Sequence, residues 1–174
     1  YIGAVRTAEH HLRLISRELT HRAKNLLTVI LGIAKQTTQP GMSIEEFLSA
    51  FSQRIQGLGA SHDLLTSSDW GGAYLEELIT SQMVPFGGVD GVRIKAKGPP
   101  VLLKNDVLQT LGLALHELGT NAVKYGALSV VDGTVDVSWR IHSLDVQPRL
   151  KLTWKECGGP PVKKPARKGF GHNI

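Results

Sequence analysis

The side chains best suited to chemistry in this sequence lie in one stretch, residues 113–129, which reads LALHELGTNAVKYGALS. Glu117, Asn121 and Lys124 follow one another at steps of four and three residues, so a helix places a carboxylate, an amide and an ammonium on one face. An amide oxygen can bind a metal without adding negative charge, and a lysine can offset the charge of phosphates. The trio therefore suits a magnesium-bound polyphosphate, although the polar face of an ordinary amphipathic helix has the same spacing.

A helix over residues 105–125 must position this trio. Its apolar positions recur at three- and four-residue steps and predict one buried stripe, which consists of Leu108, Leu111, Leu115, Leu118 and Ala122. Gly126 follows as the expected C′ residue that ends the helix.

The same stretch resembles the N box of the HWE histidine kinases, a branch of the GHKL ATP-binding superfamily. That family is named for a histidine in this box and for a later Trp-x-Glu, which here are His116 and Trp154-Lys155-Glu156. The resemblance implies that the chain binds ATP with Mg²⁺. It implies that Asn121 ligates the metal, that Lys124 contacts phosphates and that His116 and Tyr125 belong to the ATP site. Glu117 is expected to be catalytic, polarising the attacking imidazole or ordering a water.

The segment after Trp154 predicts the rest of the nucleotide site. Glu156 lies where a strand ends, and Gly158 and Gly159 follow it in the sequence. Its carboxylate can therefore accept a hydrogen bond from the amine of adenine, while the base approaches the glycine backbone. In the family this segment replaces the Asp-x-Gly-x-Gly box of common histidine kinases. Without the N box, an ordinary strand followed by a Gly-Pro loop explains it equally well.

Two further features complete the predicted site. The Pro-, Lys- and Arg-rich residues 160–168 are expected to form a mobile lid, or else a basic loop that binds nothing. Gly169 and Gly171 resemble a second glycine box, whose backbone amides can approach phosphate oxygens. His172-Asn173 depart from the small or basic residues that the family usually has next.

A second candidate site lies near the start of the chain, at His21. The run His21-Arg22-Ala23-Lys24-Asn25 resembles the phosphoacceptor helix of the HWE family, whose pattern is His-Arg-x-Lys-Asn. His21 lies about 200° round the helix from Leu19, so we expect it to face water, as a phosphoryl acceptor must. Glu18 is expected to accept the other ring N–H and fix the tautomer.

Two long helices are predicted to carry His21. A near-heptad apolar pattern predicts a helix over residues 5–38, Pro40-Gly41 breaks it, and Ser43 with Glu46 forms a capping box for a helix that reaches about residue 66. This antiparallel helical hairpin has too little interior for two apolar stripes. We expect it to form half of a four-helix bundle in a homodimer, the alternative being packing against another domain of the chain.

The predicted fold is α+β. Residues 1–67 form the hairpin for dimerisation and histidine phosphotransfer, and residues 72–174 form an ATP-binding domain, a GHKL-type α/β sandwich with a mixed sheet. Strands are expected at 92–96, 101–103, 134–141 and 149–154, with a short helix at 74–83. The final helix and strands of the family domain are missing from this sequence, so we expect the domain to be C-terminally incomplete.

Composition limits the classes of function. The 174 residues carry a formal charge of +5, are 41% hydrophobic and include one cysteine, Cys157, which excludes an internal disulfide framework. Scattered basic residues and few aromatic residues argue against nucleic-acid binding. No apolar run of about 18 residues occurs, so no membrane contact is expected within this segment. A cytoplasmic location is expected, and one alternative left open is that this segment is the cytoplasmic part of a longer, membrane-anchored sensor.

These observations together predict a sensor histidine kinase core of a two-component system. It would autophosphorylate His21 from Mg-ATP and pass the phosphoryl group to an aspartate of a response regulator, which the resemblance implies. The alternatives are a non-catalytic dimeric adaptor or scaffold, and a GHKL ATPase or protein serine kinase in which Glu117 activates water or a hydroxyl. The His-Arg-x-Lys-Asn run favours the histidine kinase.

Overall fold

The structure is a computed structural model that describes residues 2–68, 71–142 and 148–161. The described part contains four α-helices and five strands: α1 (Ile2–Thr37), α2 (Ile44–Ser67), β1 (Ala73–Tyr74), α3 (Leu75–Met83), β2 (Ile94–Lys97), β3 (Leu102–Leu103), α4 (Asn105–Lys124), β4 (Thr134–His142) and β5 (Arg149–Cys157). The predicted α+β fold with an N-terminal helical hairpin is confirmed. No helix of the described residues is long and apolar enough to cross a membrane.

The hairpin helices begin and end close to where the sequence predicts. The predicted capping box at the start of α2 is present, because Ser43 N donates to Glu46 Oε2 at 2.8 Å and Glu46 N donates to Ser43 Oγ at 3.1 Å. Gly41 in the connection has φ of 78°, a left-handed conformation that glycine adopts without steric cost.

The chain divides into two compact units, Tyr1–Phe51 and Ser52–Ile174. The division between these compact units falls within α2, and the predicted domain bounds, 1–67 and 72–174, stay a prediction. The division falls there because the second part of α2 packs with α3 and α4, through contacts described below. The assignment of one region to dimerisation and phosphotransfer and of the other to ATP binding stays a prediction.

The second unit contains the mixed sheet that the sequence predicts. Its order is β2-β4-β5, in which β4 runs parallel to β2 and antiparallel to β5. Val135, Val137 and Trp139 alternate along β4 and are buried, as expected for a strand with one covered face. A separate antiparallel pair joins β1 to β3.

One hydrophobic core unites α3, α4 and the sheet. It includes Leu75, Leu78, Ile79 and Met83 of α3, Ile94 of β2, Leu108, Leu115 and Ala122 of α4, and Val135, Val137 and Trp139 of β4. In α4 the predicted stripe is buried at Leu108, Leu115 and Ala122, while Leu111 and Leu118 are partly buried. The core therefore orients α4, which carries most of the predicted site.

Candidate nucleotide and phosphoacceptor sites

The predicted polar face of α4 is exposed only towards its C-terminal end. Asn121, Lys124 and the capping residue Tyr125 are exposed. The Lys124 ammonium donates to Gln53 Oε1 of α2 at 3.0 Å, so this lysine has a neutral protein partner. These side chains are available to a ligand from solvent.

Glu117, one turn earlier, is instead held in an ion pair. Arg54 Nε donates to Glu117 Oε1 at 2.8 Å and Arg54 Nη2 donates to Glu117 Oε2 at 3.2 Å. The two parallel bonds of such a fork fix the plane of the carboxylate. The catalytic role of Glu117 stays a prediction, and any such role must operate beside a bound guanidinium.

His116 lies in the interior, with 3% of its surface exposed. Its Nδ1 is 3.2 Å from Gln82 Oε1, and its ring centroid is 5.2 Å from that of Phe86. Burial lowers the pKa of His116, against a smaller opposing effect of the Glu117 charge. The neutral ring therefore donates from Nδ1 to Gln82, and packing between helices is its visible role. Its assignment to the ATP site stays a prediction.

Gln82 of α3 connects this histidine to α2. Its Nε2 donates to Gly57 O at 2.8 Å and to Ser61 Oγ at 2.9 Å. Gly57 allows the close approach, because a Cβ there would lie 2.6 Å from His116 Cγ. The buried network therefore locks the second part of α2 onto α3 and α4.

Sequence reasoning missed both Arg54 and Gln82, although each left a signal. Arg54 lies three residues after Phe51 and four before Leu58, so it falls on the apolar face of α2. Gln82 lies four residues after Leu78, on the apolar face of α3. A polar residue on such a face predicts a buried partner, because leaving it unpaired costs free energy.

Glu156 links the end of β5 to the turn after α4. Its Oε2 accepts a bond of 2.7 Å from Ala127 N, at the start of the 3-10 turn Ala127–Ser129, and its Oε1 accepts one of 3.0 Å from Trp154 Nε1. The two named residues of the Trp-x-Glu motif are therefore bonded to each other. The structure brings this motif next to the end of the N box, as one continuous site requires.

Glycines permit the close contact between these segments. Gly126 occupies the expected C′ position and donates to Asn121 O at 3.0 Å, but its φ of −110° is not left-handed. A Cβ there would displace the Glu156 carboxylate from its present position and would lie 3.0 Å from Ala122 Cα. Gly158 has φ of 73°, and a Cβ on Gly159 would lie 2.7 Å from Ala127 Cα. Gly169, Gly171 and the lid residues 162–168 lie outside the described residues.

His21 of α1 is exposed, as the sequence predicts. The neighbour of its ring is Asn25, whose Nδ2 lies 3.4 Å from His21 Nδ1. The expectation that Glu18 would orient this ring is wrong, since its carboxylate pairs with Arg22 Nε at 2.7 Å. The reason is that the i, i+4 spacing brings Glu18 to Arg22 and His21 to Asn25.

A magnesium ion here would depend mainly on the nucleotide. Within the described residues, no group of three or more His, Cys, Asp or Glu side chains could hold a metal. Asn121 offers one amide oxygen from an exposed position on α4. That single oxygen donor is compatible with Mg²⁺, which keeps most of its ligands as water and substrate phosphate oxygens.

Comparison with known proteins identifies the family that this chain resembles. The model of the HWE histidine kinase family matches residues 18–100, which include the His21 run. Curated proteins named blue-light-activated histidine kinase, from Brucella anthropi, Brucella ovis and Brucella canis, are each 37% identical over 167 residues. The matches cover 96% of this chain, which spans only 34% of the length of each relative. The chain belongs to the HWE histidine kinases.

Proposed function

We propose that this chain is the kinase core of a two-component sensor, which transfers the γ-phosphoryl group of ATP to His21 and then to an aspartate of a response regulator. The observation that carries the proposal is the exposed His21 with Asn25 against its ring, within the segment that matches the histidine kinase family. An acceptor needs a neutral imidazole nitrogen that a second group can reach, and an exposed helix face supplies one.

His21 attacks through Nε2, because Asn25 lies against Nδ1. Attack from Nε2 requires the ring proton on Nδ1. The amide oxygen of Asn25 accepts a hydrogen bond from this Nδ1–H when the amide is turned by half a turn from the orientation described above. The Nε2–P bond forms as the bond between the γ-phosphorus and the bridging oxygen breaks, and ADP leaves. The Nδ1 proton then passes to solvent. Positioning and charge neutralisation supply most of the rate in such transfers.

The end of α4 and the end of β5 hold the nucleotide. Asn121 would hold Mg²⁺ through its amide oxygen, and the ion would supply charge that offsets that of the phosphates. Lys124 would leave Gln53 to contact phosphate oxygens. Tyr125 lines the nucleoside. The Glu156 carboxylate accepts a hydrogen bond from the amine of adenine, through an oxygen lone pair that is not used by Ala127 N or Trp154 Nε1. Gly158 and Gly159 let the base approach the backbone.

A homodimer is the partner that suits the first unit. Leu12, Ile15 and Leu19 of the near-heptad pattern are exposed in the single chain, as are Leu27 and Leu31 elsewhere on α1. A second copy would cover such residues in a four-helix bundle. The other proposed partner is the response regulator. The use of ATP supports a cytoplasmic location for this segment.

The experiment that tests the proposal is incubation with γ-labelled ATP and Mg²⁺, followed by treatment of the labelled protein with acid or alkali. A phosphohistidine loses its label in acid and keeps it in alkali. His21→Gln should bind ATP but take up no label, while the control His62→Gln should be labelled normally. An acid-stable label, or full labelling of His21→Gln, would contradict the proposal and favour a serine kinase.

A further inference from the structure

The guanidinium of Arg93 holds the loop that follows α4. Its Nη2 donates to Val130 O at 2.7 Å and to Leu128 O at 3.3 Å, and its Nε donates to Gly133 O at 3.3 Å. Three backbone carbonyls therefore accept hydrogen bonds from one side chain, and they lie between Leu128 of the 3-10 turn and Gly133, the residue before β4. The rigid planar fork of arginine restricts the course of this loop more than a single-point donor would.

The same loop contacts the exit of β5 on its other side. Ala127 N donates to Glu156 Oε2 at 2.7 Å. A Cβ on Gly158 would lie 3.2 Å from Asp132 O, and one on Gly159 would lie 2.8 Å from Ala127 N. Because backbone meets backbone here, the position of the loop fixes the donor, Ala127 N, that holds one oxygen of the Glu156 carboxylate, while Trp154 Nε1 holds the other.

Arg93 is itself fixed by a tight turn. Asp90 Oδ1 accepts bonds from the backbone N–H groups of Val92, Arg93 and Ile94, at 2.9, 2.8 and 3.0 Å. These hydrogen bonds lower the pKa of Asp90, and the bond from Ile94 N has the largest effect. The carboxylate is therefore ionised at neutral pH. Ile94 then begins β2, in register with Val135 of β4. The turn and the sheet therefore anchor the base of the arginine.

We propose that Arg93 is a positioning residue that sets the preference for adenine over guanine nucleotides, by holding the 127–133 loop against Glu156. The inference rests on the proposed function, in which Glu156 accepts the exocyclic amine of adenine. Guanine presents a carbonyl oxygen at the same place, and a carboxylate cannot hydrogen-bond to it. A site built around such a bond rejects the analogue that lacks it, provided that the acceptor is held in place.

The test is calorimetric titration of the whole chain with Mg-ATP and with Mg-GTP. Wild type, Arg93→Gln and Arg93→Lys are compared with the control Arg140→Gln, an exposed arginine on β4 of the same sheet. We expect the ratio of ATP to GTP affinity to fall about tenfold in Arg93→Gln, the scale of one lost bond to a charged acceptor. Arg93→Lys should lie between, since an ammonium restores part of the contact, and Arg140→Gln should keep the wild-type ratio.

Equal weakening of both nucleotides, or an unchanged ratio, overturns the inference, because a general structural role affects both ligands alike. Circular dichroism checks folding, and if Arg93→Gln does not fold, the ratio in Arg93→Lys decides alone. Failure of the wild type to bind ATP overturns the proposed function itself. A wild type that takes label on His21 but does not distinguish ATP from GTP overturns only the positioning role.

Discussion

Arg54 of α2 and Glu117 of α4 form a bidentate ion pair, although 63 residues separate them in the chain. Their side chains are 11% and 12% exposed, so water screens the pair weakly. Glu117 is also the residue that the N box predicts to be catalytic. The second part of α2 is therefore paired with α4 at a residue that the sequence predicts to be catalytic.

Removing one member of this pair should strongly destabilise the fold. Arg54→Met leaves a buried carboxylate without its partner, and we expect the free energy of unfolding in urea to fall by about 3–5 kcal/mol. The matched control is Arg22→Met, which breaks an exposed pair of similar length with Glu18 and should cost less than about 1 kcal/mol. Equal effects of the two substitutions would contradict the importance of burial.

Exchanging the two charges should separate structure from chemistry. The double variant Arg54→Glu with Glu117→Arg restores an opposite-charge pair, so we expect it to recover part of the stability lost in Arg54→Met. Labelling of His21 should not recover, because the carboxylate no longer projects from α4. Recovery of both would show that Glu117 acts only in packing.

Two glycines of α2 should respond oppositely to alanine. In Gly57→Ala the new methyl group meets the His116 ring, and we expect a loss of about 1–3 kcal/mol from overpacking. In Gly59→Ala nothing lies within 4 Å of the new group, so improved helix propensity should stabilise the protein by about 0.5–1 kcal/mol. Urea unfolding measures both, and the same sign for both would contradict the described packing.

Stability should fall with acid because of His116. Its pKa in the folded protein is lowered from the ordinary 6.5, so the unfolded chain binds a proton more readily. The stabilising effect of its neutral form is thus present above about pH 6.5 and is lost as the pH falls below that value. His116→Asn keeps a donor for Gln82 without a titrating ring. We expect its unfolding free energy to fall less than that of wild type between pH 7.5 and 5, and an equal fall would contradict the prediction.

Asn121→Ala should abolish labelling without unfolding the protein. The metal loses its amide ligand, while stability should change by less than about 0.5 kcal/mol because the side chain is exposed. Val123→Ala, at another exposed position two residues later, serves as the control and should be labelled normally. Undiminished labelling of Asn121→Ala would remove this residue from the metal site.

Glu156→Ala should weaken ATP more than it weakens inorganic triphosphate. One lost bond from the adenine amine to a charged acceptor costs roughly 1.5–3 kcal/mol, which triphosphate never gains. Lys155→Ala changes the neighbouring exposed residue of β5 and should affect the two ligands equally. Equal losses for both ligands in Glu156→Ala would place this carboxylate away from the base.

Much of the fold was predictable because its signals are local. Heptad spacing, Pro40-Gly41 and the Ser43–Glu46 capping box depend on neighbours along the chain, and α1 and α2 lie where they indicate. The division of the chain into units was not predictable. The second part of α2 belongs with α3 and α4, where Gln82 donates to Gly57 O across 25 residues, and no periodic pattern encodes such a contact.

The sequence by itself determined which side chains share a face, because the spacing of Glu117, Asn121 and Lys124 follows from helix geometry. The His21 run predicts the acceptor. Only the tertiary structure decided what each side chain meets. In the folded chain Glu117 forms an ion pair with Arg54, and His116 is buried against Gln82. Glu156 accepts a hydrogen bond from Ala127 N, 29 residues away. The physical reason is that helix and strand periods act over a few residues, whereas partners are chosen when the apolar faces of separate elements pack into one core.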